Sequence, residues 1–228
     1  MSQKKTQASP PGVTDPHGAD DVVLIGDVVA SRRAPDRLAL HDTLVRVIEH
    51  VNGDVTALDP LVVTVGDEFQ GRFATLGDAL AACFGLRLRL APAVDVRFGL
   101  GRGATQTLDA RHGIHDGPAY WAARSAIERT KERASRAQTR TARTTYEPSE
   151  EDALGVGVAV QSALDCLDLV VGSLSTQSTT ILGGLMDGRT QHEIAADLAV
   201  SPSAVSQRVR RDGLGVAVDT MTSLSRMP

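Results

Sequence analysis

"VTVGDEFQGRF", residues 63–73, is the stretch on which the fold turns. Two apolar, strand-forming runs, "PLVVTVG" and "EFQGRFA", flank the Gly66-Asp67 pair, the pattern of a tight-turned β-hairpin. Turn chemistry accounts for Gly66 and Asp67. It does not account for a second acid, Glu68, set directly before an apolar Phe69.

Reading outward, "DVVLIGDVVAS" (21–31) is β-branched and almost continuous, as in a central strand covered on both faces, but Gly26-Asp27 interrupts it. Residues 36–52 place Leu40, Leu44, Ile48 and Val51 at helical spacing, with Asn52-Gly53 as a stop signal. After the hairpin, "LGDALAACFGLRLRLA" (76–91) is an apolar helix closed before Pro92. "VDVRFGLGRGATQT" (94–107) is a further strand running into a Gly-rich extension. The order βαββαβ predicts a ferredoxin-like α/β (α+β) palm over residues 20–146, with two parallel central strands joined through helices and flanked by antiparallel partners.

The chain has 228 residues, enough for one large or two small domains. With 42% hydrophobic and 3% aromatic residues, its core must be aliphatic. A net charge of -4 excludes a molecule that is basic throughout, so any DNA contact needs a local basic face. Cys83 and Cys166 stand far apart in apolar helical contexts and read as buried thiols of a reducing compartment. With neither a long apolar run nor a signal-peptide core, the expected location is cytoplasmic, without a membrane partner. Residues 1–19 are polar, bear Pro and Gly, and are expected to be a disordered tail.

Beyond Pro118 the pattern is helical. "AYWAARSAIERTKERASRAQ" follows that proline, and residues 150–172 and 176–187 read as two more helices, within a linking segment at 147–188. "RTQHEIAADLAVSPSAVSQRVRRDG" (189–213) has the layout of a helix-turn-helix, followed by a tail at 214–228. Ile194, Ala195 and Leu198 form the apolar face of the first helix, Val200 plugs the turn, and Val205 and Val209 anchor the second. Ser201 is placed as an N-cap and Pro202 as the first helical residue. In a DNA reader the second helix enters the major groove. Ser203, Ala204, Ser206 and Gln207 would then face base edges, with Arg208, Arg210 and Arg211 at phosphates. The spacing resembles bacterial regulators and sigma-factor region 4, except that Ala199 stands where those families place a turn Gly. The alternative is an αα-hairpin packed internally or on a partner. Acidic Asp187, Glu193 and Asp197 offset the arginines, so a dimer on two half-sites is expected to be needed for tight binding.

Asp27, a carboxylate inside an apolar strand, requires a partner or a metal. A ferredoxin-like sheet sets the first strand beside the hairpin, so Asp27 can face Asp67 or Glu68. Convergent carboxylates repel unless a cation lies between them, and such oxygen donors suit Mg²⁺ with phosphate oxygens completing its shell.

In that order, "LIGDVVASRR", "TVGDEFQG", "VRFGLGRG" and "DGPAYWAARSAIE" resemble four segments of the SatD family, over residues 21–146. SatD-like proteins commonly carry a helical tail with a helix-turn-helix. The same segments are distantly similar to class III nucleotidyl cyclases and GGDEF diguanylate cyclases. That resemblance implies Asp27 and Asp67 as metal carboxylates, Glu68 as the acid of the GGDEF turn, and Arg124 as the transition-state arginine. Apart from the resemblance, Ser31, Arg97 and Gly101 are further candidate nucleotide or phosphate contacts beside Arg124, with a helix-entry turn explaining Ser31 equally well. Three departures, Tyr120 for Asn, Val63 near the base-selecting Lys, and Val65 before Gly66, weigh against purine cyclisation but not against metal or phosphate binding.

Other features admit two readings. Arg129, Lys131, Arg133, Arg136, Arg140 and Arg143 form either a solvated face or a phosphate clamp. "GLGRGA" (99–104) marks a close backbone approach, by a nucleotide or by packing. His112, His115 and Asp116 fit no zinc spacing, and Tyr120 and Trp121 are expected to pack. The composite expectation is a DNA-binding regulator whose palm binds a nucleoside triphosphate with Mg²⁺. The alternatives are a dimeric metal-dependent nucleotidyl cyclase or transferase, and a degenerate interaction module.

Overall fold

A computed structural model describes residues 20–109, 113–149 and 155–228. The expectations for the N-terminal tail and for His112 therefore lie outside the described residues. The main sheet runs β2 (Asp59–Val63), β3 (Glu68–Phe73), β1 (Asp21–Val28), β4 (Val96–Gly103) and β7 (Thr144–Glu147). A separate two-stranded ribbon pairs β5 (Gln106–Asp109) with β6 (Ile114–Asp116).

The first four strands follow the ferredoxin-like order, and β7 adds a parallel edge beside β4. The expectation of parallel central strands is corrected: β1 is antiparallel to both β3 and β4. Helices α1 (Arg37–Asp54) and α2 (Leu76–Leu90) each connect strands that have another strand between them, the split form of the βαβ unit.

Every residue of β1 is buried, as its near-continuous apolar run requires. Val22, Leu24 and Val28 face a core shared with Phe69, Phe73, Phe98 and residues of α1 and α2. Val23 and Ile25 face the opposite side, under Ala119, Ala123 and Ile127 of α3 (Pro118–Ser135). Alternation along β3 resolves the Glu68-Phe69 pair. Phe69 turns into the core, onto the space a Gly26 side chain would occupy, and meets Phe98 edge-on at 6.2 Å between ring centroids. Glu68 therefore points to the α3 face.

Helix α1 continues through the expected Asn52-Gly53 stop to Asp54. Asn52 instead clamps β2: its amide donates to the Leu61 carbonyl and accepts from the Leu61 N–H, both at 2.9 Å.

Among the described residues five further α-helices follow: α4 (Val156–Gly172), α5 (Thr176–Met186), α6 (Gln191–Asp197), α7 (Pro202–Arg211) and α8 (Leu214–Leu224). Residues 214–224, expected as part of a tail, form a helix because Leu214, Ala217, Met221 and Leu224 are spaced to cover one face, and all four are buried. α8 packs on α2, and the final residues cap that helix: Gly77 N–H donates to the Met227 carbonyl at 3.0 Å. Leu164, Leu182, Ile194, Val205 and Met221 belong to the same core as α1 and α2.

A buried ion pair, Arg87 with Asp168, ties α2 to α4. Asp168 also accepts from the backbone N–H of Arg143 at 2.6 Å and of Thr144 at 2.9 Å. Cys83 is buried as expected, whereas Cys166 is exposed. Among the described residues no helix is long and apolar enough to cross a membrane.

Candidate functional site

The acids that the sequence singles out meet at one end of the α3 face. Register places Asp27 opposite Glu68 on one side and opposite Arg97 on the other. Asp67 stands in the turn beyond the last β1–β3 pair, so of the two hairpin acids it is Glu68 that adjoins Asp27. Gly66 takes the positive φ of 67° that this turn needs.

Each of the two sheet carboxylates is matched by cations. Arg97 donates to both oxygens of Asp27, at 2.9 and 3.3 Å, and Lys131 Nζ lies 3.2 Å from Asp27 Oδ2. Arg124 grips Glu68 bidentately, at 2.5 and 2.7 Å. Those hydrogen bonds hold the Glu68 carboxyl below its usual range, against burial and the nearby charge of Asp67. Burial works against the charge on Lys131, but hydrogen bonds to Glu128 and Asp27 outweigh it and raise its pKa. Asp27 is only 8% exposed, and its burial is offset by these contacts.

Magnesium must be tested against this arrangement. The residue types suit it, but all four oxygens of Asp27 and Glu68 face guanidinium or ammonium groups. Among the described residues no group of three or more His, Cys, Asp and Glu is arranged around a common metal position. As they stand, Asp27 and Glu68 do not fit a bare cation.

The other expected contacts separate. Ser31 is buried in a short 3-10 turn just past β1. Gly101, expected beside a nucleotide, lies under α3: a Cβ there would stand 2.2 Å from the Ala123 backbone nitrogen, and one at Gly99 would stand 2.2 Å from that of Ile127. The alternating glycines admit a helix backbone rather than a ligand.

Much of the arginine run is consumed in bridges to other elements, α4 among them. Arg129 pairs with Glu147, Arg133 with Asp165, and Arg143 with Asp95. Trp121, expected to pack, is 62% exposed, and its indole N–H donates to Asp116 at 2.8 Å. His115 lies 3.5 Å from Asp59, not in a metal cluster.

A second polar cluster escaped sequence reading. Arg72 reaches Asp59 and Asp21, both at 2.6 Å, and Thr105 donates to Asp21 at 2.5 Å. Burial, with Asp59 nearby, pushes the Tyr120 hydroxyl up to about 12. The detectable signal was Asp21, a charge opening an apolar strand; its partners come from segments too distant to pair by spacing.

In the C-terminal part, α6 and α7 form the expected two-helix unit. Ala199 in the turn adopts a positive φ of 52°. Thr190 and Glu193 make a complete capping box on α6, and Ser201 caps α7 by accepting from the Ala204 N–H at 3.2 Å. Ile194, Ala195 and Val205 are buried beneath. α7 packs on α5, α6 and α8, leaving Ser203, Gln207, Arg210 and Arg211 exposed, with Ala204, Ser206 and Arg208 half-buried. Arg211 is bound to Asp212, which also accepts from Ser178 of α5 at 2.6 Å. Neither Arg208 nor Arg210 makes an ion pair among the described residues.

Two solved structures of a bacterial light-regulated adenylyl cyclase are weakly similar. One is 14% identical with a TM-score of 0.39, covering 50% of this chain and 71% of that one. The other is 13% identical with a TM-score of 0.39, covering 54% and 42%. No curated protein matches the chain. The SatD family matches residues 21–226, beyond the 21–146 expected and through the helical part to α8. The chain belongs to the SatD family.

Proposed function

We propose that this protein is a cytoplasmic, DNA-binding transcriptional regulator that reads duplex DNA with α7. The observation that carries this reading is the sidedness of α7. Val205 is fully buried and fastens the helix to its neighbours, while a polar and basic face looks outward. Such a helix suits the major groove: Ser203, Ala204, Ser206 and Gln207 at base edges, Arg208, Arg210 and Arg211 at phosphates. With Arg211 already bound to Asp212, one copy offers few free cations, which favours a homodimer on two half-sites. Replacing Arg208 and Arg210 together by Ala should weaken duplex binding and reduce the salt slope by roughly 2. An unchanged slope, measured by fluorescence anisotropy across a salt series, would sink the reading.

A second reading concerns the palm. The meeting of two carboxylates, Asp27 and Glu68, with three cations, Arg97, Lys131 and Arg124, supports a site able to exchange partners with a nucleoside triphosphate. In that exchange Arg97, Lys131 and Arg124 would turn to phosphate oxygens, and Asp27, Glu68 and Asp67 would be the residues left to hold magnesium. The metal would supply neutralisation of phosphate charge. The regulator then senses a nucleotide. Magnesium with a nucleoside triphosphate should raise the melting temperature, and Asp67→Ala should abolish the rise; no rise with any of the four common nucleotides removes this reading. Release of pyrophosphate would instead mark an enzyme, with Arg124 stabilising the transferring group.

A further inference from the structure

Next to the Asp27 cluster is a small cleft that shares Arg97 and Lys131 with the palm reading above and adds Arg140 and Arg143 to them. It lies where the end of β1, β4 and the C-terminal end of α3 meet the segment leading into β7, and its volume is about 180 Å³. Arg97, Lys131, Arg140 and Arg143 line it, with Val29 and Ala134 between them, and no carboxylate is among its lining residues.

Three of the four cations are held in place from outside the cleft. Arg97 is fixed by Asp27 at 2.9 Å. Lys131 is shared between Asp27 at 3.2 Å and Glu128 at 2.7 Å. Arg143 is fixed by Asp95 at 2.7 Å and by the carbonyls of Arg140 and Ala142, both at 2.8 Å. The fourth, Arg140, is exposed and has no ion pair among the described residues. Pre-placed cations lose little freedom when an anion arrives, and charge-assisted, geometrically fixed donors make the strongest contacts to phosphoryl oxygens.

We propose that this cleft is a seat for a phosphoryl anion, either the terminal phosphates of a nucleotide or free pyrophosphate. Size decides the class. The cleft is smaller than the roughly 300 Å³ at which pockets for whole drug-sized ligands begin. It takes a phosphate or diphosphate group and leaves any nucleoside outside. The proposal rests on the nucleotide reading only for that nucleoside; the anion seat itself requires neither the base nor the metal.

The test is titration calorimetry on the full chain with inorganic pyrophosphate, without divalent metal. Binding is expected, and Arg140→Glu should weaken it by about tenfold or more, the usual effect of losing a charged hydrogen bond. Because Arg140 is exposed, this variant should fold normally. Arg136→Glu makes the same charge change at an exposed residue that does not line the cleft and is already paired with Glu132, and it should leave binding within about twofold, as a solvent-screened surface charge does. Absence of pyrophosphate binding, or equal loss in both variants, overturns the seat. Competition separates the sources. If a magnesium nucleotide binds and pyrophosphate displaces it, the cleft holds the nucleotide's phosphates. If pyrophosphate binds and no nucleotide does better, the seat stands and the nucleotide reading fails. If a nucleotide binds and pyrophosphate cannot compete, the seat fails and the nucleotide reading stands.

Discussion

Glu68 and Phe69 are neighbours in the chain and opposites in the sheet. Phe69 fills the core over Gly26, while Glu68 carries its charge to the α3 face, where Arg124 meets it. Since the Glu68 carboxyl is held below its ordinary 4.5, the unfolded chain binds its proton more readily than the folded one. Its stabilisation is therefore complete above that value and is lost as pH falls through the lower folded value. Arg124 is half exposed, so solvent screening limits the pair to about 1 kcal/mol or less. Glu68→Gln should lower stability by that amount at pH 7 and make no difference below the folded pKa, as read from urea unfolding at both pH values. Gly101 is a stricter case. Its Cβ would meet the Ala123 backbone at 2.2 Å, with no flexible side-chain end to yield. Gly101→Ala should cost about 3 kcal/mol, the upper range for overpacking, by forcing α3 off β4. A loss under about 1 kcal/mol would show that the helix can lift freely.

Among the elements, the α6–α7 turn and the α2–α4 junction carry opposite lessons. The turn holds Ala199 at a positive φ, which costs an L-residue about 1 kcal/mol. Ala199→Gly should therefore raise unfolding stability by up to about 1 kcal/mol, as read from urea unfolding. At the junction, Asp168 receives Arg87 and two backbone N–H groups in a buried setting. Asp168→Ala leaves the Arg87 guanidinium unpaired there and should cost about 3–5 kcal/mol by denaturant unfolding. The turn was legible because its signals, Val200, Ser201 and Pro202, are contiguous. The Arg87–Asp168 pair spans 81 residues, and no local pattern announces it.

At the scale of the whole molecule, palm and helical part share one core. α8 lies on α2, and Ile194 of α6 and Val205 of α7 belong to the same apolar cluster as Leu24 and Phe69. The chain should unfold in one transition, with circular dichroism and tryptophan fluorescence superimposing. Two separated transitions would show that the parts fold independently. Deleting residues 214–228 removes Leu214, Met221 and Leu224 from that core, roughly 5 kcal/mol or more at the usual value per buried side chain. That approaches the entire stability of a typical domain, so the shortened chain should not refold at 25 °C.

By itself the sequence determined what is local. The βαββαβ order of β1 to β4, the hairpin turn, the Ser201-capped α6–α7 unit and the nomination of Asp27 and Glu68 all follow from spacings within a few residues, where backbone sterics and hydrophobic period act directly. Tertiary structure decided what depends on segments far apart. It set β1 antiparallel to both neighbours, laid α3 on the glycines of β4, and made residues 214–224 a supporting helix. It also met Asp27 and Glu68 with Arg97, Lys131 and Arg124. A buried charge declares from sequence that it needs a partner, because desolvation is costly wherever it occurs. Which partner it finds depends on the fold, because opposite charges gain energy only once the chain has brought them together.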